Sequence, residues 1–322
     1  MPNYNTRESF NTLETADLFQ TTLDRLAVRE AVTGWMDANA GRVKYTGGDE
    51  VKVPKMSVQG LGDYDRENGY VLGAVDLQYE TFKMTQDRGR RFQFDAMEVD
   101  ESAFIVTASS TMGEFQRVYV LPEIDAYRLS SLATKAIAGT DADNMVKYGE
   151  TISANTSTLA TVRAIKTGIK KIREKGYNGP LVIHANDDTI LELEIEMAGK
   201  LQSVTWSQGG VQTQVPAIDG VPIISTPSNR MYTAITIYDG KTTGQTAGGY
   251  VRGASAKTIN FMILPRQTPI AITKQDKMRI FTPDTYQPAN AWSVDYRRFH
   301  DIWVLDNQVG SIYLSIKEAK SS

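Results

Sequence analysis

Residues 43–96 constrain this chain more than any other stretch, because they specify a structure that cannot stand alone. Val51-Lys52-Val53 alternates, and Val75, Leu77, Tyr79 and Thr81 recur at period two, the spacing of a strand. Between these runs lies GLGDYDRENGY, where Asn68-Gly69 is a hairpin signal because both residues tolerate positive φ. The pattern predicts a long two-stranded arm whose tip is polar and charged, with Asp63, Asp65, Arg66, Glu67 and Asn68. Such an arm has too few large apolar side chains for a core and needs another surface to lie on.

The rest of the chain supplies ordinary elements. Residues 1–12 are polar and aperiodic and read as a flexible arm. A helix is expected from about Thr15 to Ala38, with Phe19, Leu23, Leu26, Ala27, Ala31 and Trp35 on one stripe. From Asp100 the pattern is helical again, through Phe104, Ala108, Phe115, Val118 and Tyr119. Pro122 lacks an amide proton and must kink or restart this helix, which resumes over Glu123 to Lys135, making a long rod. Residues 139–155 look like a linker. A helix from about Thr156 to Lys175 ends at Gly176. PLVIHA reads as a buried strand, and Asn186-Asp187-Asp188 cap a helix reaching about Gly199. LELEIEM there alternates like a strand, but Ile190, Leu193, Met197 and Leu201 favour the helix. Residues 203–265 read as short strands and loops, and INFMIL, PIAIT, KMRIF, DIWVL and SIYLS as strands. The fold class is α+β.

At 322 residues the chain has room for about two domains or one large one. With 35 Lys+Arg against 38 Asp+Glu, a net charge of −3 excludes a strongly basic nucleic-acid reader. Cysteine is absent, which excludes disulfides, thiolate metal sites and a Cys nucleophile, and fits a cytosolic origin. The N-terminal twenty residues do not read as a secretory signal, and no apolar window reaches the ~18 residues of a membrane span.

Chemistry is sparse. The two histidines, His184 and His300, lie beside strand segments and read as packing residues. Tyr238-Asp239-Gly240-Lys241-Thr242 resembles the end of a phosphate-binding loop, but Ile235 stands where that loop needs glycine, so a hairpin turn is the better assignment. GGYVRG lacks the flanking strand and helix of a dinucleotide fingerprint, and no GxSxG is present. Asp141/Asp143 read as loop, Asp187/Asp188 as a helix cap and Glu192/Glu194/Glu196 as a solvated helix face. Lys166, Lys170, Lys171, Arg173 and Lys175 form the one basic cluster, either a solvated face or a weak phosphate contact without stacking aromatics. No catalytic, metal or cofactor site is assigned. An enzyme would have to work through Asp187/Asp188 or His184.

Five segments in order, DRGRRFQFDAMEVDES (87–102), EFQRVYVLPEIDAYRLSSLA (114–133), IDGVPIISTPSNRM (218–231), AKTINFMILPRQTPIAITK (256–274) and DYRRFHDIWVLDNQVGSIYLS (295–315), resemble the major capsid proteins of tailed double-stranded DNA bacteriophages. The resemblance spans about residues 40–318 and implies the Hong Kong 97 capsid fold. It assigns an N-terminal arm and helix to 1–42 and an extended β-hairpin arm to 43–95. A peripheral domain with a long spine helix takes 96–144 and 270–307, and an axial domain 145–269 and 308–322. It further implies a non-enzymatic subunit that assembles in the bacterial host cytoplasm into hexamers and pentamers of a virion. Its partners would be other copies, a separate scaffolding protein, a portal and packaged double-stranded DNA touched non-specifically, with no membrane. Intersubunit contacts would fall on Lys55, Asp63, Asp65, Arg66, Glu67 and Asn68, and DNA would face Lys166, Lys170, Lys171 and Arg173. The same fold also serves encapsulin compartments, the alternative function. Some family members join an arm lysine to an asparagine of a neighbour. Here the arm lysines, Lys52, Lys55 and Lys83, lie toward its base, and Asn290 is the candidate acceptor, so an uncrosslinked shell is expected.

Overall fold

The computed structural model describes residues 31–47, 49–67, 69–95, 110–208, 211–283 and 290–320. Its strands are β1 (Lys44–Gly47), β2 (Glu50–Val58), β3 (Val75–Lys83), β4 (Gln86–Asp95), β5 (Val146–Lys147), β6 (Leu181–Asn186), β7 (Gln202–Gln208), β8 (Val211–Ile218), β9 (Val221–Thr226), β10 (Ile235–Ile237), β11 (Tyr250–Arg252), β12 (Ile259–Pro265), β13 (Ile270–Phe281), β14 (Ala291–Trp303) and β15 (Tyr313–Ile316). The helices are α1 (Leu121–Ala138), α2 (Ala142–Met145), α3 (Ala160–Glu174) and α4 (Asp187–Met197). This is an α+β fold.

A seven-stranded mixed sheet, in the order β5-β15-β12-β6-β9-β8-β7, forms the centre. β6 and β12 are buried along their whole length, which is why PLVIHA and INFMIL are continuous apolar runs rather than alternating ones. One sheet face carries α3 and α4, through Val162, Ile165, Ile172 and Leu193. The other carries α1, through Leu129, Leu132, Ala133 and Ala136, together with Trp35 and Met36. α3 comes so close to the sheet that a Cβ on Gly168 would lie 2.6 Å from the Tyr313 ring and 2.7 Å from Ile263. Glycine in mid-helix is required there by proximity, against its helix propensity.

A second sheet, β13-β14-β4, packs against the front of the spine through Met112, Met278, Val294 and Tyr296, with Phe92 and Phe115 beside them. PIAIT and KMRIF are one strand here, β13, with an irregularity between Thr273 and Gln275 rather than a break. β4 pairs with β14 from Gln86↔His300 to Ala291↔Asp95. The strand-rich stretch 43–96 therefore serves two sheets: β1-β2-β3 project as the arm, and β4 returns to the body.

The spine is helical from residue 110 to 138 without a break. Pro122 does not restart it. Instead Gln116–Val120 form a π-helical turn just before it, and the Leu121 amide reaches back to the Gln116 carbonyl. The wider turn re-routes the hydrogen bonds at the place where proline withholds one.

Two other expectations change. The helix expected over Thr15–Ala38 falls outside the described residues up to 30, and Gly34–Arg42 are 3-10 turns rather than its α-helical end. The cause is Asp125: it accepts the amides of Val32 at 3.2 Å and Thr33 at 3.0 Å, which a continuous helix would bond to its own carbonyls. The linker-like 139–155 contains α2 and β5, and β5 pairs in parallel with β15.

Candidate functional site

The arm is built from two unlike halves. In its base, Val51, Val53, Phe82 and Met84 pack on Ile270, Ile272, Trp303 and Leu305 of the body, with Phe82 stacked on Trp303 at 5.5 Å. Asp301, buried, clamps the turn after β3 by accepting from the Thr85 amide (2.8 Å), the Thr85 hydroxyl (3.0 Å) and the Tyr127 hydroxyl (2.7 Å). The arm is thus bolted to the spine and to β14.

Beyond Val53 the apolar side changes face. Cross-strand partners share a face in an antiparallel pair. The pairs Val51↔Phe82 and Val53↔Glu80 continue into Lys55↔Gln78 and Ser57↔Asp76, so the face that is buried at the base becomes polar. The opposite face carries Pro54↔Tyr79, Met56↔Leu77 and Val58↔Val75. Here exposures run from 46% for Tyr79 to 69% for Val75. Leu61, Tyr70, Val71 and Leu72 extend the exposed apolar surface into the tip. The tip is therefore less polar than its charges suggested. From Val53 to Val58 the strand advances about 17 Å at ~3.3 Å per residue, so this ladder runs outward from the anchored base.

The residues singled out from sequence distribute as follows. Lys55 pairs with Glu80 at 3.1 Å, midway along the arm. Asp63, Arg66 and Glu67 are exposed at the tip. Asp65 closes the tip by exchanging backbone hydrogen bonds with Gly69, whose φ of +82° fits the expected turn, while its side chain accepts from the Glu67 amide. Tyr64 packs on Tyr70 with ring centres 4.9 Å apart. Asn68 lies outside the described residues. Asn290 is exposed, and Asp295 nearby is bound to Arg91 at 2.6 Å.

The basic cluster sits on and just after α3, and its members have partners within the fold. Lys166 pairs with Asp219 (3.0 Å), Lys170 with Glu174 (3.4 Å) and Lys175 with Asp141 (2.9 Å). Lys171 donates to the Asn144 carbonyl, and Arg173 to the carbonyls of Tyr177 and Gly179.

Among the acids, Asp143 pairs with Lys320, and Asp187 accepts from the Ser228 amide. The helix cap is Asn186, which accepts from the Thr189 amide at 2.8 Å. Glu196 departs from the expected solvated face. It is buried and accepts the amides of Asn155 (3.0 Å), Thr161 (2.8 Å) and Val162 (3.0 Å), so α4 supplies the N-terminal cap of α3. Burial raises its pKa, but the three amide donors outweigh that and hold the carboxyl below its ordinary range. A period-two count could not reveal this, because the cap comes from another helix.

Both histidines are packing residues. His184 is fully buried, and its Nε2 accepts from Trp35 Nε1 at 3.1 Å. An indole N–H only donates, so the imidazole proton sits on Nδ1, 3.1 Å from the Thr226 hydroxyl. Burial lowers its pKa to about 3. Burial, followed by the charges of Arg298, Arg128 and Arg88, likewise holds His300 well below the ordinary value. Tyr238–Thr242 form a turn in which Asp239 accepts from the amides of Lys241 and Thr242; it opens the loop 238–249 between β10 and β11. No group of three or more metal-ligating side chains occurs among the described residues, and no helix there is long and apolar enough to cross a membrane.

The fold as a whole recurs in solved structures. The capsid of Ralstonia phage GP4 superposes with a TM-score of 0.52 at 12% identity, covering 85% of each chain. The mature capsid of bacteriophage PhiM1 gives 0.52 at 11% identity, over 84% of this chain and 82% of that one. This chain has the capsid fold of tailed bacteriophages. A virus-like particle from Pyrococcus furiosus shares the capsid fold, with a TM-score of 0.50 at 9% identity over 96% of this chain and 99% of the other. No family model and no curated protein matches the sequence.

Proposed function

We propose that this chain is the structural subunit of a bacteriophage head, a major capsid protein whose copies assemble as hexamers and pentamers into a closed icosahedral or prolate shell around double-stranded DNA. The observation that carries this is the ladder Met56/Leu77 and Val58/Val75: an apolar face on an anchored arm, exposed among the described residues. Such a face is stabilised when another copy covers it. Catalysis has no support in the buried, neutral histidines or the paired acids.

In this reading the arm residues Lys55, Asp63, Asp65, Arg66, Glu67 and Asn68 contact neighbouring copies. A scaffolding protein and a portal are the expected assembly partners, the site of action is the virion, and DNA is touched without base readout and in a salt-sensitive way. The shell is held without covalent cross-links, since Lys55 is engaged by Glu80 within its own arm. Negative-stain microscopy of the purified protein, expressed alone and with candidate scaffolding proteins, tests the proposal. Closed shells of uniform size support it, and only small particles under every condition contradict it.

A second reading, an encapsulin-like compartment, is favoured by the near full-length match to the archaeal virus-like particle. Nucleic acid inside the particles separates the two.

A further inference from the structure

The helical layer on the central sheet has two oppositely charged edges. α3 carries Arg163, Lys166, Lys170, Lys171 and Arg173 against a single acid, Glu174. α4, DDTILELEIEM, carries five carboxylates and no basic residue. α3 packs over β15 and β12, and α4 over β12, β6 and β9. In the strand order β15-β12-β6-β9 the two helices lie side by side and in contact, α3 toward β15 and α4 toward β9, and Lys166 of α3 reaches Asp219 in the turn between β8 and β9.

The acidic edge is also apolar. Leu191 is 56% exposed and Ile195 51%, one helical turn apart on the outward side of α4. Leu159 joins them. Glu192 binds the Ala154 amide and Glu196 the Asn155 and Thr161 amides, which fastens the Leu159 turn beside α4. Leu159 has φ +51°, a left-handed conformation that leucine rarely adopts, and its amide is held by the Asn155 carbonyl at 2.7 Å. Its side chain stays partly in solvent.

Arg163, Lys166 and Lys170 fall at helical spacing on the outer side of α3. Their partners within the subunit are surface groups: Lys166–Asp219 and Lys170–Glu174 are both largely exposed pairs, of the kind that contribute little and exchange readily.

We infer that α4 of one copy, through Leu191, Ile195 and Glu194, docks against the α3 stripe Arg163/Lys166/Lys170 of a second copy in a head-to-tail contact. Repeating a subunit with one basic and one acidic edge continues the alternation of charge, and a head-to-tail contact closes into a ring when the rotation between copies divides a full turn. Charge complementarity chooses the partner and its register, and the leucine–isoleucine patch supplies the buried area. The inference rests on the shell-subunit proposal and names one of its contacts. It assigns the basic stripe to a neighbouring subunit, in place of DNA.

The test uses full-length protein. Ile195→Glu should keep the wild-type melting temperature and lower the yield of closed shells about tenfold or more, as loss of a central interface anchor does. Glu194→Lys and Lys170→Glu should each reduce assembly, and together restore it. Because the chain has no cysteine, subunits carrying Ile195→Cys can be co-assembled with subunits carrying Lys170→Cys and treated with a short bis-maleimide, which adds one thiol at each end. A covalent dimer from the mixture, absent from either variant alone, is expected. Shells that form normally from Ile195→Glu, or yield no dimer in the mixed assembly, overturn this contact while leaving the shell proposal intact. Absence of shells from the wild-type protein contradicts both.

Discussion

β6 and the distal half of β3 are both strands of apolar and β-branched residues, yet they differ in where their burial comes from. β6 is covered on both faces by its own chain: α3 and α4 on one side, α1 on the other. β3 leaves Val75, Leu77 and Tyr79 in solvent. The first strand is stabilised within one copy. In the proposed shell, the second becomes stabilising when another copy covers it. Substitutions in the buried core of the body should therefore change the stability of the single subunit, and substitutions on the distal arm should change assembly alone.

The largest body effect is expected at Asp125. It is fully buried, accepts from Val32, Thr33 and Arg230, and lies one helical turn from buried Arg128, which pairs with Asp37. Asp125→Ala leaves Arg230 without its carboxylate and the chain at residues 32–33 without its anchor. Denaturant unfolding of the unassembled subunit should show a loss of about 3–5 kcal/mol. A loss below 1 kcal/mol would break the comparison, because the body would then not be held by its own polar network.

Gly168→Ala comes next. The added methyl meets Tyr313 and Ile263 inside contact distance, and overpacking of this kind costs about 1–3 kcal/mol despite alanine's better helix propensity. The same unfolding measurement decides the sign.

Acid should then weaken the body through His184. Its folded pKa, about 3, lies below the ~6.5 of an unfolded chain, so the unfolded state binds the proton first. The contribution is fully present above pH 6.5 and is lost progressively as pH falls toward 3. About 2 kcal/mol should disappear between pH 7 and pH 5. His184→Gln should reduce that slope, leaving the part that His300, also held well below its ordinary value, contributes; an unchanged slope would assign the loss to other groups.

Much of this body was legible in the sequence. Continuous apolar runs marked β6 and β12, Gly176 marked the end of α3, and the Asn68-Gly69 pair marked the hairpin. What escaped were features fixed by partners distant in sequence. Asp125 holds the backbone amides of Val32 and Thr33, more than ninety residues earlier in the chain, and Glu196 caps a helix that precedes it. The arm was read as one unit because β3 and β4 share a strand-like pattern, although their partners, β2 and β14, lie far apart in the chain. The apolar ladder was half visible in the period-two run of β3. Its exposure was not, since alternation shows that a face is apolar without showing what covers it. The switch of apolar face after Val53 emerges only from the register of β2 with β3.

The distal arm is expected to contribute to assembly and not to the stability of the subunit. The double variant Met56→Asp with Leu77→Asp tests it most directly, since these residues face each other in the middle of the ladder. Thermal unfolding of the unassembled subunit and negative-stain microscopy should be run on the same preparation. The account predicts a melting temperature equal to wild type and no closed shells. A lowered melting temperature, or shells that form as before, would contradict it.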